Sequence, residues 1–192
     1  MWWNFYLILA AFYFSIPNVL AQSRHGYRIG ETASDFKLKN VVGSITSLSS
    51  FPEAKGFVVI FNGDGCPFDK AYEKRIKSMY KKYSDKGCAF LSITSNHSSP
   101  AIKATEANLL FPHLRDDEGI ISRKFGVIRT PHFFLLNPEY KVLYSGTIDD
   151  SVFEEENIKV HYLENALDAF LSGKNISEPI TKPVGCAILY QN

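Results

Sequence analysis

The sequence predicts an α/β protein of three layers, a mixed central sheet with helices on both faces, and three observations lead there. The first is a pair of continuous apolar runs, Phe57-Val58-Val59-Ile60-Phe61 and Ala89-Phe90-Leu91-Ser92-Ile93. Both have strand length, as strands covered on both faces do. The second is the stripe between them, where Phe68, Tyr72, Ile76, Met79 and Tyr83 recur at spacings of three and four. Two buried strands joined by a helix imply a right-handed crossover and a parallel pair. The third is a change of rhythm: His132-Phe133-Phe134-Leu135-Leu136 is followed, across Asn137-Pro138, by residues 141–144, which read as an antiparallel partner.

The remaining elements follow in chain order. Asp35-Phe36-Lys37-Leu38 alternates polar and apolar, and Gly43 sits between two short strand-like stretches, the pattern of a hairpin. Pro67 opens the first helix; its lysines and Arg75 fill the solvated face, and Gly87 ends it. Ser98-Ser99-Pro100 reads as a second helix start, and Asp116 and Asp117 as caps for a short helix carrying Ile120, Ile121 and Phe125. The last helix has Leu163, Ala166, Leu167, Phe170 and Leu171 on one face and stops at Gly173. Residues 28–173 thus form one domain. A tail, residues 174–192, carries Pro179, Pro183, Gly185 and Cys186.

Residues 1–21 read as a signal peptide. They are mostly apolar, Val19-Leu20-Ala21 offers the small residues of a cleavage site, and polar sequence follows at once. The same segment left uncleaved would be a membrane anchor; cleavage is the reading taken, which leaves no stable membrane association. The chain is then exported, periplasmic or extracellular, where disulfides persist. With 21 Lys and Arg against 20 Asp and Glu, the net charge of +1 gives no electrostatic basis for nucleic-acid binding. His25, His97, His113, His132 and His161 lie in separate segments without ligand spacing, so no metal site is expected, nor any organic cofactor. Asn96-His97-Ser98 and Asn175-Ile176-Ser177 match the glycosylation pattern.

Three cysteines remain, Cys66, Cys88 and Cys186. Cys66 follows a buried strand and precedes a helix with Pro67 at its first position, where free N–H groups and the positive helix end favour a thiolate. That effect is worth about 0.3–1 kcal/mol. Asp64 and Asp69, negative charges beside the same sulfur, oppose it, so only modest activation is expected. Cys88 opens a buried strand and reads as an inert hydrophobe. Cys186 either resolves Cys66 as a disulfide, staples the tail elsewhere, or packs under Ile188 and Leu189; pairing requires Cα atoms within about 7 Å.

Several segments together resemble the redoxins of the AhpC/TSA type, which include thiol-specific antioxidant proteins and thioredoxin-like oxidoreductases. They are residues 30–38, Cys66-Pro67-Phe68-Asp69 after its strand, Asp116-Asp117-Glu118-Gly119 through Val127, Thr130-Pro131-His132, residues 144–150 and Pro183-Val184-Gly185-Cys186. The last two are similar to a peroxiredoxin-like branch with a single active-site cysteine. The resemblance implies a thioredoxin-like fold with Cys66 as the catalytic nucleophile and Thr130, Pro131, Pro67 and Asp69 lining the substrate cleft. Thr130-Pro131 matches the cis proline that faces the cysteine. Asp69 stands where the second cysteine of Cys-x-x-Cys would be, and the Pro-x-x-x-Thr/Ser-x-x-Cys signature is absent before Cys66, which argues against rapid peroxide reduction. The activity implied is thiol–disulfide exchange or thiol-linked antioxidant chemistry, with protein thiols or disulfides, or a thioredoxin-type reductant, as partners. A slow thiol peroxidase and a non-catalytic binding module are the alternatives.

Overall fold

The computed structural model describes residues 26–95, 110–188 and 190. Expectations for residues 1–21, for the helix start at Ser98-Ser99-Pro100 and for Asn96 lie outside them. Among the described residues seven strands form one sheet, in the order β2-β1-β5-β4-β3-β7-β8. They are β1 (Leu38–Asn40), β2 (Ile45–Thr46), β3 (Gly56–Asn62), β4 (Cys88–Thr94), β5 (His113–Arg115), β7 (His132–Leu136) and β8 (Val142–Gly146). A separate two-stranded ladder pairs β6 (Arg129–Thr130) with β9 (Cys186–Ala187). Among the described residues the α-helices are α1 (Pro67–Tyr83), α2 (Ile120–Phe125) and α3 (Tyr162–Leu171).

The two buried runs are neighbours, β3 parallel to β4, and β7 lies antiparallel on the other side of β3. Alternation along β3 feeds two cores. Phe57, Val59 and Phe61 join Leu91, Ile93, Phe125 and Phe134 on one face. Val58 and Ile60 join Tyr72, Ile76, Tyr83, Phe133, Leu163 and Leu167 on the other. So α1 and α3 cover one face and α2 the opposite one, the expected three-layer sandwich. Each fully buried Phe or Leu contributes about 1.5–3 kcal/mol, which keeps the C-terminal end of β3, and Cys66 beyond it, in a fixed place.

Two expectations are corrected, and some strands are new. β5 and the β6–β9 ladder went unforeseen, because segments of two or three residues show no periodicity. Asp117 does not cap α2; its carboxylate accepts from the Arg115 guanidinium at 2.8 and 2.9 Å. Asp116 alone does so, accepting from Ile121 N, Ser122 N and Ser122 Oγ. Arg75 is not on the solvated face. It is nearly buried, pairs with Asp149 at 2.5 Å and donates to the carbonyls of Ser151 and Val152.

Candidate active site

The site is built where β3 ends. Gly65, at φ 74°, turns the chain into α1, a conformation that a side chain would strain. Cys66 occupies the position that caps α1 and Pro67 the first helical position, whose missing N–H costs nothing there. The turn is packed against Thr130: a Cβ on Gly63 would lie 2.5 Å from Thr130 Oγ1. Thr130 is buried, the Thr130–Pro131 peptide is cis, and the Thr130 carbonyl oxygen lies 3.6 Å from Cys66 Sγ.

The tail reaches this point. Cys66 and Cys186 form a disulfide with Cα atoms 6.2 Å apart, closing a separation of 120 residues. β9 runs antiparallel to β6 with Thr130 opposite Cys186 and Arg129 opposite Ala187. Ile188 N donates to Ile128 O at 3.0 Å, Arg129 Nη1 to Gly185 O at 2.8 Å, and Tyr190 Oη to Val127 O at 2.5 Å. Cys66 is therefore buried in the oxidised chain, while Pro67 is exposed. On the other flank of Cys66, a cavity of about 540 Å³ is bounded by Asp64, Asp69, Ile76, Phe111 and His113.

The electrostatics differ from expectation at Asp69. Burial pushes its carboxyl up to about 7, against the Gly63 N–H that its Oδ2 accepts at 2.7 Å, and Asp64 adds to the rise. Its Oδ1 has no hydrogen-bond partner among the described residues. Asp64 is also raised, by burial first. Asp69 is thus not the full fixed charge expected beside the sulfur, and its opposition to a Cys66 thiolate is correspondingly weaker. Cys88 is a buried free thiol, pushed up to about 11 by burial. His132 is a buried strand residue bonded through Nε2 to Ser145 Oγ at 2.9 Å, and burial lowers it to about 4. Among the described residues no cluster of His, Cys, Asp and Glu could hold a metal.

Arg129 and Tyr190 escaped sequence reasoning. Arg129 directly precedes Thr130-Pro131, the one signal that could have singled it out.

The AhpC/TSA family model matches residues 29–145. The chain belongs to the AhpC/TSA family. Among curated relatives, the thiol-disulfide oxidoreductase ResA of Oceanobacillus iheyensis is 26% identical over 149 residues, 74% of this chain and 78% of the relative. ResA of Bacillus subtilis is 24% identical over 155 residues, 78% of this chain and 85% of the relative. Among solved structures, an uncharacterized conserved protein of Geobacillus kaustophilus superposes with a TM-score of 0.74 at 27% identity, covering 85% of this chain and 93% of that one. A putative thiol:disulfide interchange protein DsbE of Chlorobium tepidum superposes with a TM-score of 0.58 at 22% identity, covering 75% and 98%. The last likeness shows the thioredoxin-like fold alone.

Proposed function

We propose that the protein is an exported thiol–disulfide oxidoreductase in which Cys66 is the nucleophile and Cys186 resolves it. The observation that carries this reading is the Cys66–Cys186 disulfide formed at the start of α1, beside Thr130 and Pro131. The curated relatives named as thiol-disulfide oxidoreductases support it. So does the apolar segment of residues 1–21, which directs the chain to a compartment where disulfides persist.

In the reduced chain the Cys66 thiolate faces the free N–H groups of α1, the arrangement that lowers a thiol's proton affinity. It attacks a partner disulfide in line, forming a mixed disulfide and releasing the partner's second sulfur as a thiolate. Cys186 then displaces the partner from Cys66 and closes the observed bond. An external dithiol of thioredoxin type reopens it. With Asp69 in place of a second Cys-x-x-Cys cysteine, the tail supplies the resolving sulfur. Thr130, Pro131, Pro67 and Asp69 line the approach.

The test is reduction of insulin and of glutathione disulfide, with dithiothreitol as reductant, by wild type, Cys66→Ser and Cys186→Ser, with hydrogen peroxide consumption as a parallel arm. Wild type is expected to reduce disulfides and to consume peroxide slowly. Cys66→Ser is expected to add nothing to the dithiothreitol background in either arm, and Cys186→Ser, reduced and freed of dithiothreitol, to accumulate a mixed disulfide with glutathione at Cys66. A folded wild type without disulfide exchange would sink the oxidoreductase reading and leave a binding module.

A further inference from the structure

The seat of the tail has a shape of its own. β9 occupies the edge of β6 that leads into Pro131, and Gly185 is buried against it. A Cβ on Gly185 would lie 1.8 Å from Thr130 O, 2.6 Å from Thr130 C and 3.1 Å from Pro131 N. All three are backbone atoms in a buried turn, so nothing there can give way. One residue further on, Cys186 meets Cys66, and Ala187 is exposed. Ile188 packs on the core that contains Phe125 and Val127. Tyr190 lies under the Arg123 guanidinium, 4.6 Å from ring centre to carbon. The backbone is held as an added strand, and side chains are read at alternate positions, the usual mode for an extended peptide on a sheet edge.

We infer that this seat also receives the cysteine-bearing segment of a partner protein disulfide, and that it selects an extended segment in which glycine immediately precedes the cysteine and an apolar residue follows two positions after it. The inference rests on the thiol-exchange reading above and names its substrate class. In the reduced protein the tail is no longer tethered to Cys66 and competes with the partner segment, which takes its place on the edge of β6. The Cys66 thiolate attacks the partner's seated sulfur; the mixed S–S bond forms, the partner's own S–S bond breaks, and its distal sulfur leaves as a thiolate that takes a proton from water. The Cys186 thiolate then attacks Cys66 Sγ, re-forming the intramolecular bond and releasing the partner's cysteine as a thiolate. Two electrons have passed to the partner, and the external dithiol restores them. Because tail and partner use one edge, resolution by Cys186 and expulsion of the reduced product are the same exchange.

The experiment uses the full chain carrying Cys186→Ser, reduced, with two peptides as symmetrical disulfide dimers: Val-Gly-Cys-Ala-Ile-Leu-Tyr and Val-Ala-Cys-Ala-Ile-Leu-Tyr. Conjugation to Cys66 is followed by mass, and each rate is divided by that peptide's rate with free cysteine. The glycine peptide is expected to react about tenfold faster, since an added methyl meets a wall that cannot relax. Adding Gly185→Ala to the protein should weaken the competing tail and raise the glycine-peptide rate without changing the preference. Equal rates for both peptides, or no acceleration by Gly185→Ala, would overturn the shared selective seat while leaving thiol exchange intact. Absence of any conjugate, with Cys66 still alkylated by iodoacetamide, would overturn the thiol-exchange reading itself.

Discussion

Asp69 and His132 carry opposite pH dependences, and each can be read with its sign. Asp69 rises from 3.8 to about 7, so across that window the folded chain holds a proton that the unfolded chain has lost, and stability falls as pH rises. His132 drops from 6.5 to about 4, so the unfolded chain binds the extra proton and stability rises with pH over that interval. Burial pushes His113 in the same direction as His132. In wild type the slopes offset. Asp69→Asn should leave stability rising with pH between about 4 and 7, and should stabilise the protein by roughly 1–3 kcal/mol at pH 8. His132→Gln should leave stability less sensitive to acid. Urea midpoints across a pH series check both, and an Asp69→Asn series with the same slope as wild type would show that the Asp69 carboxyl is not held protonated. The position of Asp69, one turn after Cys66, was legible in the sequence; its proton was not, because burial comes from β3 and the turn packed around it.

The elements show where periodicity works and where it misleads. The stripe of α1 placed Tyr72, Ile76, Met79 and Tyr83 in the core correctly, because helical spacing alone fixes which side chains share a face. The opposite face read as uniformly solvated, which holds for Lys74 but not for Arg75. Lys74 pairs with Glu155 in the open, and both are largely exposed. Arg75 stacks 4.4 Å over the Tyr72 ring and anchors the chain after β8 through Asp149, Ser151 and Val152. Arg75→Ala should therefore cost about 3–5 kcal/mol by leaving Asp149 buried without its partner. Lys74→Ala should change stability by less than about 0.5 kcal/mol. Urea denaturation of the two variants separates them, and equal effects would contradict the buried pairing.

Across the molecule, the Cys66–Cys186 bond ties the tail to the start of α1 over 120 residues. Closing so long a loop restricts the unfolded chain, and disulfides contribute about 2–4 kcal/mol in practice. Oxidised wild type should thus exceed reduced wild type in stability by about that amount. Cys186→Ser should coincide with the reduced form. Amide exchange gives a second readout: on reduction, Ile188 should exchange faster, because its N–H is held by the Ile128 carbonyl just before β6, whereas the amides of β3 should not change. Unchanged exchange at Ile188 would mean that the ladder stands without the disulfide.

Local pattern was enough for the α/β sandwich, the buried β3 and β4, the faces of α1 and α3, and a cysteine at a helix start. Each of these follows from the spacing of apolar residues and from what proline and glycine permit over a few positions. The docking of β9 on β6 and the pairing of Arg75 with Asp149 join groups 56 and 74 residues apart, and the raised proton affinity of Asp69 depends on burial by several elements at once. No local period encodes such contacts. They arise only when the folded core brings distant segments together and excludes water from between them.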